Sequence, residues 1–159
     1  QRGILNRKEW NKILKFLSWQ LVATTHYMHT ELNIAHLDLT MENIMVKNGT
    51  FVIDEKDSKI KINRAVSIKI CDFGLASRFT PGHYKCDKMP PQFALNYASP
   101  QMFNDEQYDA RKADIWSLGI IIYKMVFNDN PYYIQSIHDV RYNLLLQKKI
   151  CEVMKMHKL

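Results

Sequence analysis

Two carboxylates and one amide in this sequence have the type and spacing to do chemistry. Asp38 and Asn43 lie on one short stretch, His36-Leu37-Asp38-Leu39-Thr40-Met41-Glu42-Asn43, with four residues between them. An apolar run, Ile44-Met45-Val46, follows at once. A second acidic loop, Asp72-Phe73-Gly74, comes behind another apolar run, Ile68-Lys69-Ile70-Cys71. Loops that adjoin short strands can aim oxygen ligands into one cleft. Hard divalent cations such as Mg²⁺ take a few such ligands from protein and the rest from phosphate and water.

The elements that must position these loops can be read from periodicity. Asn6 reads as an N-cap with Glu9 three residues on. Trp10, Ile13, Leu14, Leu17, Leu21 and Met28 then recur at helical spacing, with Lys12, Lys15 and Gln20 on the opposite, solvated face. Ile44-Met45-Val46 reads as a strand, and the Asn48-Gly49 turn signal makes Phe51-Val52-Ile53 its returning partner in a hairpin. Asp54 to Arg64 is polar and charged and reads as an exposed loop, and Val66 to Cys71 as the next strand. From Asp72 to Pro100 there is little periodicity. A helix over Ile115 to Phe127 is apolar nearly all round and belongs at the centre of a helical body. Asn128-Asp129-Asn130-Pro131 stops it, and a further helix capped at Ser136 carries Val140, Leu144, Leu145 and Ile150.

Composition sets bounds. The 159 residues fit one domain, and the apolar share is ordinary for a protein that buries a core. The 22 basic and 16 acidic residues give a formal net charge of +6, but they are scattered. No basic-aromatic stripe suggests nucleic acid, and a solvated basic surface is the simpler reading. Three widely spaced cysteines make no disulfide framework and point to a reducing, cytoplasmic setting. The longest apolar stretch, Ile115 to Phe127, contains Lys124 and is too short to span a bilayer.

The two loops together resemble the eukaryotic protein kinase family, whose catalytic loop reads His-Arg-Asp-Leu-x-x-x-x-Asn and whose metal loop reads Asp-Phe-Gly. Asp114-Ile115-Trp116-Ser117-Leu118-Gly119 is a third marker in the right order. The resemblance implies an α+β fold, mainly α: the C-terminal lobe of a kinase, with a small hairpin region carrying both loops. It implies part of a kinase domain over residues 1–159, without the N-terminal lobe or the last helices, and little catalysis by this piece alone. It implies transfer of the γ-phosphate of ATP, with Mg²⁺, to a serine or threonine hydroxyl of a protein substrate. Asp38 would be the catalytic base; Asn43 and Asp72 would hold the metal; Glu42, Met45 and Cys71 would lie around the nucleotide. Met45 would floor the adenine pocket, with Ile121 and Met125 beneath it. His36 and Phe73 would stack in the core, and Asp114 would accept backbone N–H bonds from the catalytic loop.

Departures from the family pattern carry a second reading. Leu37 replaces the arginine that pairs with a phosphorylated activation segment, Thr40 replaces a lysine that steadies the γ-phosphate, and Ala94 replaces a threonine. Tyr97-Ala98-Ser99-Pro100-Gln101 matches the segment's closing Ala-Pro-Glu in part. Thr40's hydroxyl offers some compensation for the lost lysine. These changes fit a pseudokinase, a lobe kept as a binding module, although such a module needs none of Asp38, Asn43 and Asp72. A zinc site at His83 and Cys86 is a third reading, but two ligands are half of what structural zinc takes.

Overall fold

The computed structural model describes residues 7–47, 51–54, 59–62, 66–87, 96–104, 107–133 and 138–156. Five helices and eight short strands follow in the order α1 (Arg7–Thr30), β1 (Ile34–Ala35), β2 (Ile44–Lys47), β3 (Phe51–Asp54), β4 (Lys59–Ile62), β5 (Ser67–Ile70), β6 (Ser77–Arg78), β7 (Lys85–Asp87), α2 (Pro100–Asn104), β8 (Gln107–Asp109), α3 (Ala110–Phe127), α4 (Val140–Leu146) and α5 (Ile150–Met156). The strands form four separate antiparallel ladders, β1–β6, β2–β5, β3–β4 and β7–β8. The architecture is therefore mixed α+β, with small sheets set on a helical body.

Helix α1 is amphipathic as its spacing predicts. Ile13, Leu14, Leu21 and Met28 are buried, but Trp10 is 45 % exposed. The expected caps Asn6 and Ser136, the Asn48-Gly49 turn and Ala94 lie outside the described residues. The predicted hairpin is wrong in its partner. Strand β2 pairs with β5, in the register Ile44↔Ile70 to Lys47↔Ser67. Phe51–Asp54 pairs instead with Lys59–Ile62, inside the stretch expected to be loop. A turn signal fixes where the chain reverses, but not which of two later apolar runs wins the partner.

Helix α3 begins earlier than its apolar run, because Asp109 caps it. The Asp109 carboxylate accepts the Arg111 N–H at 3.0 Å. Asn128 ends the helix in the left-handed region (φ 52°) with its N–H bonded to the Lys124 carbonyl at 2.8 Å. Leu118, Ile120 and Ile121 pack with Leu21, Leu39, Tyr97, Tyr132 and Tyr142 in the main core. The helix is not enclosed on every side, however. Ile115 is 56 % exposed and Val126 45 %, and with Gly119 they line a groove of about 870 Å³. The last helical run is two helices, not one: Asp139 caps α4, and Lys148 at φ 62° breaks the chain before α5. Among the described residues no helix is long and apolar enough to cross a membrane.

The cap of α3 predicts acid sensitivity. Burial works against ionisation of Asp109, but the hydrogen bonds and charge of Arg111 outweigh it and hold the carboxyl below its ordinary 3.8. A depressed carboxyl stabilises the fold fully above pH 4 and progressively less as pH falls through the folded-state value. Urea unfolding from pH 6 down to pH 2.5 should show this loss, and Asp109→Asn should flatten it. Asp109→Ala should cost about 1 kcal/mol at neutral pH, as lost N-caps do.

Candidate active site

The geometry starts at Asp114, one turn into α3 and fully buried. Its Oδ2 accepts the His36 N–H at 2.8 Å, and its Oδ1 accepts the Leu37 N–H at 2.8 Å. The ring of His29, near the end of α1, donates Nε2–H to Oδ2 at 2.8 Å. A buried carboxylate is stable only with such charge-assisted partners. The two backbone bonds hold a strained turn: Leu37 sits at φ 64°, a region that costs a non-glycine residue about 1–2 kcal/mol. The expected anchoring role of Asp114 is what the contacts show. His29 was not read from the sequence, where it is one more polar residue on a helix.

From that anchor the chain turns to Asp38 and Asn43. The Asn43 Nδ2 donates to the Asp38 carbonyl at 2.9 Å and to its carboxylate Oδ2 at 3.1 Å. That orientation turns the amide nitrogen to Asp38 and leaves Oδ1 on the other side of the amide. Across the β2–β5 ladder, the Cys71 N–H donates to the Asn43 carbonyl at 2.9 Å, and the Cys71 thiol to the same oxygen at 3.3 Å. Asp72 comes next, exposed and at φ 62°, its Oδ1 accepting the Gly74 N–H at 3.3 Å.

His36 is a second tie between the loops. Its Nδ1 accepts the Asp38 N–H at 3.3 Å, so Nε2 carries the proton and donates to the Cys71 carbonyl at 3.0 Å. The neutral ring is satisfied at both nitrogens. Phe73 packs on it with ring centroids 4.8 Å apart. His36 is buried as expected, but Phe73 is 47 % exposed, so the stack has only one covered side.

The remaining candidates divide. Glu42 lies exposed on the turn before β2. Met45, 53 % exposed, points to the open face of the ladder. Ile121 and Met125 lie under Ile44, Ile68 and Ile70 on the other face, and so do not underlie Met45 as expected. Thr40 is buried, and its hydroxyl accepts the Asn43 N–H at 3.2 Å. That bond ties its oxygen to the loop. Leu37 is buried in an apolar cluster with Phe79, Ala98, Met102 and Tyr108. Arg111 lies over the Tyr84 ring at 3.1 Å while paired with Asp109 at 3.0 Å. His83 is exposed, and the Cys86 thiol donates to the Tyr108 carbonyl at 3.7 Å. Among the described residues no three His, Cys, Asp or Glu side chains gather, so the zinc reading has no support.

Residues 4–158 match the protein kinase domain family. This chain belongs to that family. It is similar to the sperm motility kinase Tcr mutant form of Mus musculus, 31 % identical over 149 residues, which cover 92 % of this chain and 25 % of that protein. It is also similar to a serine/threonine-protein kinase SIK3 homolog of Danio rerio, 30 % identical over 132 residues, covering 81 % of this chain and 9 % of that protein. The chain thus spans a quarter or less of the length of these relatives.

Replacing Asp114 tests the anchor. Asp114→Ala strands the His36 and Leu37 N–H groups in the interior, at about 1–3 kcal/mol each. Chemical denaturation should show a loss of about 3–5 kcal/mol. A loss below about 1 kcal/mol would mean that the loop keeps its shape without the carboxylate.

Proposed function

We propose that the protein containing this chain is a kinase that transfers the γ-phosphate of Mg-ATP to a serine or threonine hydroxyl of a protein substrate. One observation carries the reading: Asp38 and Asn43 are hydrogen-bonded to each other, and Asn43 is bonded through its backbone to the residue before Asp72. The donor set suits the cation. The Asp72 carboxylate and the Asn43 amide oxygen are hard ligands, too few to enclose an ion, as Mg²⁺ shared with phosphates prefers. When bound, Mg²⁺ neutralises the phosphate oxygens, and ATP supplies the group transferred.

Each side chain then has a task. Asp38 has one oxygen held by Asn43 and one left to accept the substrate hydroxyl's hydrogen bond and orient it. Asn43, through Oδ1, and Asp72, through its carboxylate, would hold the metal. Met45, exposed, would lie against the adenine; Glu42 lies on the adjoining turn, and Cys71 is bonded to the Asn43 carbonyl between the loops. Phosphoryl transfer needs such positioning more than covalent help from protein.

A pseudokinase is the second reading, favoured by one specific pair of observations. Thr40 is turned into the loop and Leu37 into an apolar cluster, so neither reaches towards phosphate. Phosphate transfer by the full-length protein to a mixed peptide substrate separates the two. Asp38→Asn should lower kcat by about 10²-fold or more while ATP-dependent thermal stabilisation persists. Asp72→Ala should remove the Mg²⁺-dependent part of that stabilisation. Wild-type protein that binds Mg-ATP yet transfers nothing, on any peptide of the mixture, supports the binding module. Equal transfer by wild type and Asp38→Asn rules Asp38 out as the base.

A further inference from the structure

Gln20 lies mid-way along α1, on the face that its spacing assigns to solvent. It is half-buried instead, and its amide reaches the start of β5. Nε2 donates to the Val66 carbonyl at 2.9 Å, and Oε1 accepts the Ile68 N–H at 3.0 Å. One donor and one acceptor, bonded to groups two residues apart, reproduce the pairing that a neighbouring strand would make.

Among the described residues no strand pairs with the edge that Gln20 occupies. The Cys71 N–H points to β2, where it meets the Asn43 carbonyl. Alternate residues of a strand direct their N–H groups to opposite edges, so the Ile68 N–H lies on the side away from β2. That ladder has two strands of four residues each, which is marginal on its own. Its register signal is also weak, because Ile44, Met45 and Val46 are apolar in succession. A slip by one residue shifts the strand by about 3.3 Å and exchanges its faces. Asp72 follows two residues after the last residue of β5, so any slip is passed to its carboxylate.

We propose that Gln20 is a positioning residue: its amide serves as a one-residue third strand on β5 and sets the register that holds Cys71 against Asn43, and with it the position of Asp72 one residue on. The consequence for metal rests on the reading of those two residues as Mg²⁺ ligands; the grip on β5 does not. A glutamine that only added stability would weaken the fold evenly and leave metal affinity alone.

Two measurements on the full-length protein test this. Hydrogen exchange should show Ile68 to Asp72 opening about tenfold faster in Gln20→Leu, which strands both backbone groups, with the β1–β6 ladder unchanged. Gln20→Glu keeps the acceptor, loses the donor, and should fall between. The Mg²⁺ concentration for half-maximal ATP-dependent thermal stabilisation should rise about tenfold in Gln20→Leu, as outer-shell changes at metal sites do. Unchanged exchange at Ile68 to Asp72 overturns the grip. Faster exchange with an unchanged Mg²⁺ midpoint overturns the positioning role and leaves a structural one. A wild-type protein without Mg²⁺-dependent stabilisation overturns the ligand reading, while the exchange result still decides the grip.

Discussion

The buried carboxylate of Asp114 sets the frame from which the rest of the site is built. Taking a carboxylate out of water costs several kcal/mol unless donors replace the water. Here three donors converge on it, two of them backbone N–H groups of consecutive residues. The exchange works in both directions. The carboxylate is solvated by the loop, and the loop is held in a left-handed turn that Leu37 would not adopt alone. Because Asp114 sits on a helix capped at both ends and packed into the main core, the loop inherits the rigidity of α3.

From this frame two ties reach the second acidic loop. The β2–β5 ladder brings Cys71 against Asn43 through the backbone, and His36 reaches the Cys71 carbonyl through its ring. Neither tie uses the side-chain oxygens proposed for metal and substrate. The loop also departs from its family where charge would be expected. Leu37 joins an apolar cluster that includes Phe79 and Tyr108, and Thr40 bonds the Asn43 N–H. The interior of the loop is therefore organised by packing and short hydrogen bonds, with Arg111 already engaged by Asp109 and Tyr84 nearby.

Much of this was legible in the sequence, and the reasons for the misses are physical. Asp38, Asn43 and Asp72 stand out by residue type and spacing, Asp114 through the resemblance to the kinase family, and α1 and α3 through their periodicity. Strand pairing was misjudged because β2 and β5 are joined across a long insertion, and the nearer apolar run fits the same turn signal. The two-residue strands β1 and β6 are too short to leave any pattern. Gln20 and His29 were invisible for another reason. Each is a polar residue on a helix whose partners lie 46 to 85 residues downstream, and only the fold makes them neighbours. Trp10 shows the opposite error, since an aromatic residue at core spacing near a helix end need not be covered.

In the proposed reading Asn43 and Asp72 hold one cation, with Asp38 beside it on the loop that carries Asn43. Mn²⁺, which takes the same oxygen ligands as Mg²⁺, reports this directly through paramagnetic broadening of amide signals. In isotope-labelled full-length protein with ATP, the signals from Asp38 to Asn43 and from Asp72 to Gly74 should broaden in step as Mn²⁺ is added. Broadening of one loop while the other stays sharp would contradict the shared site.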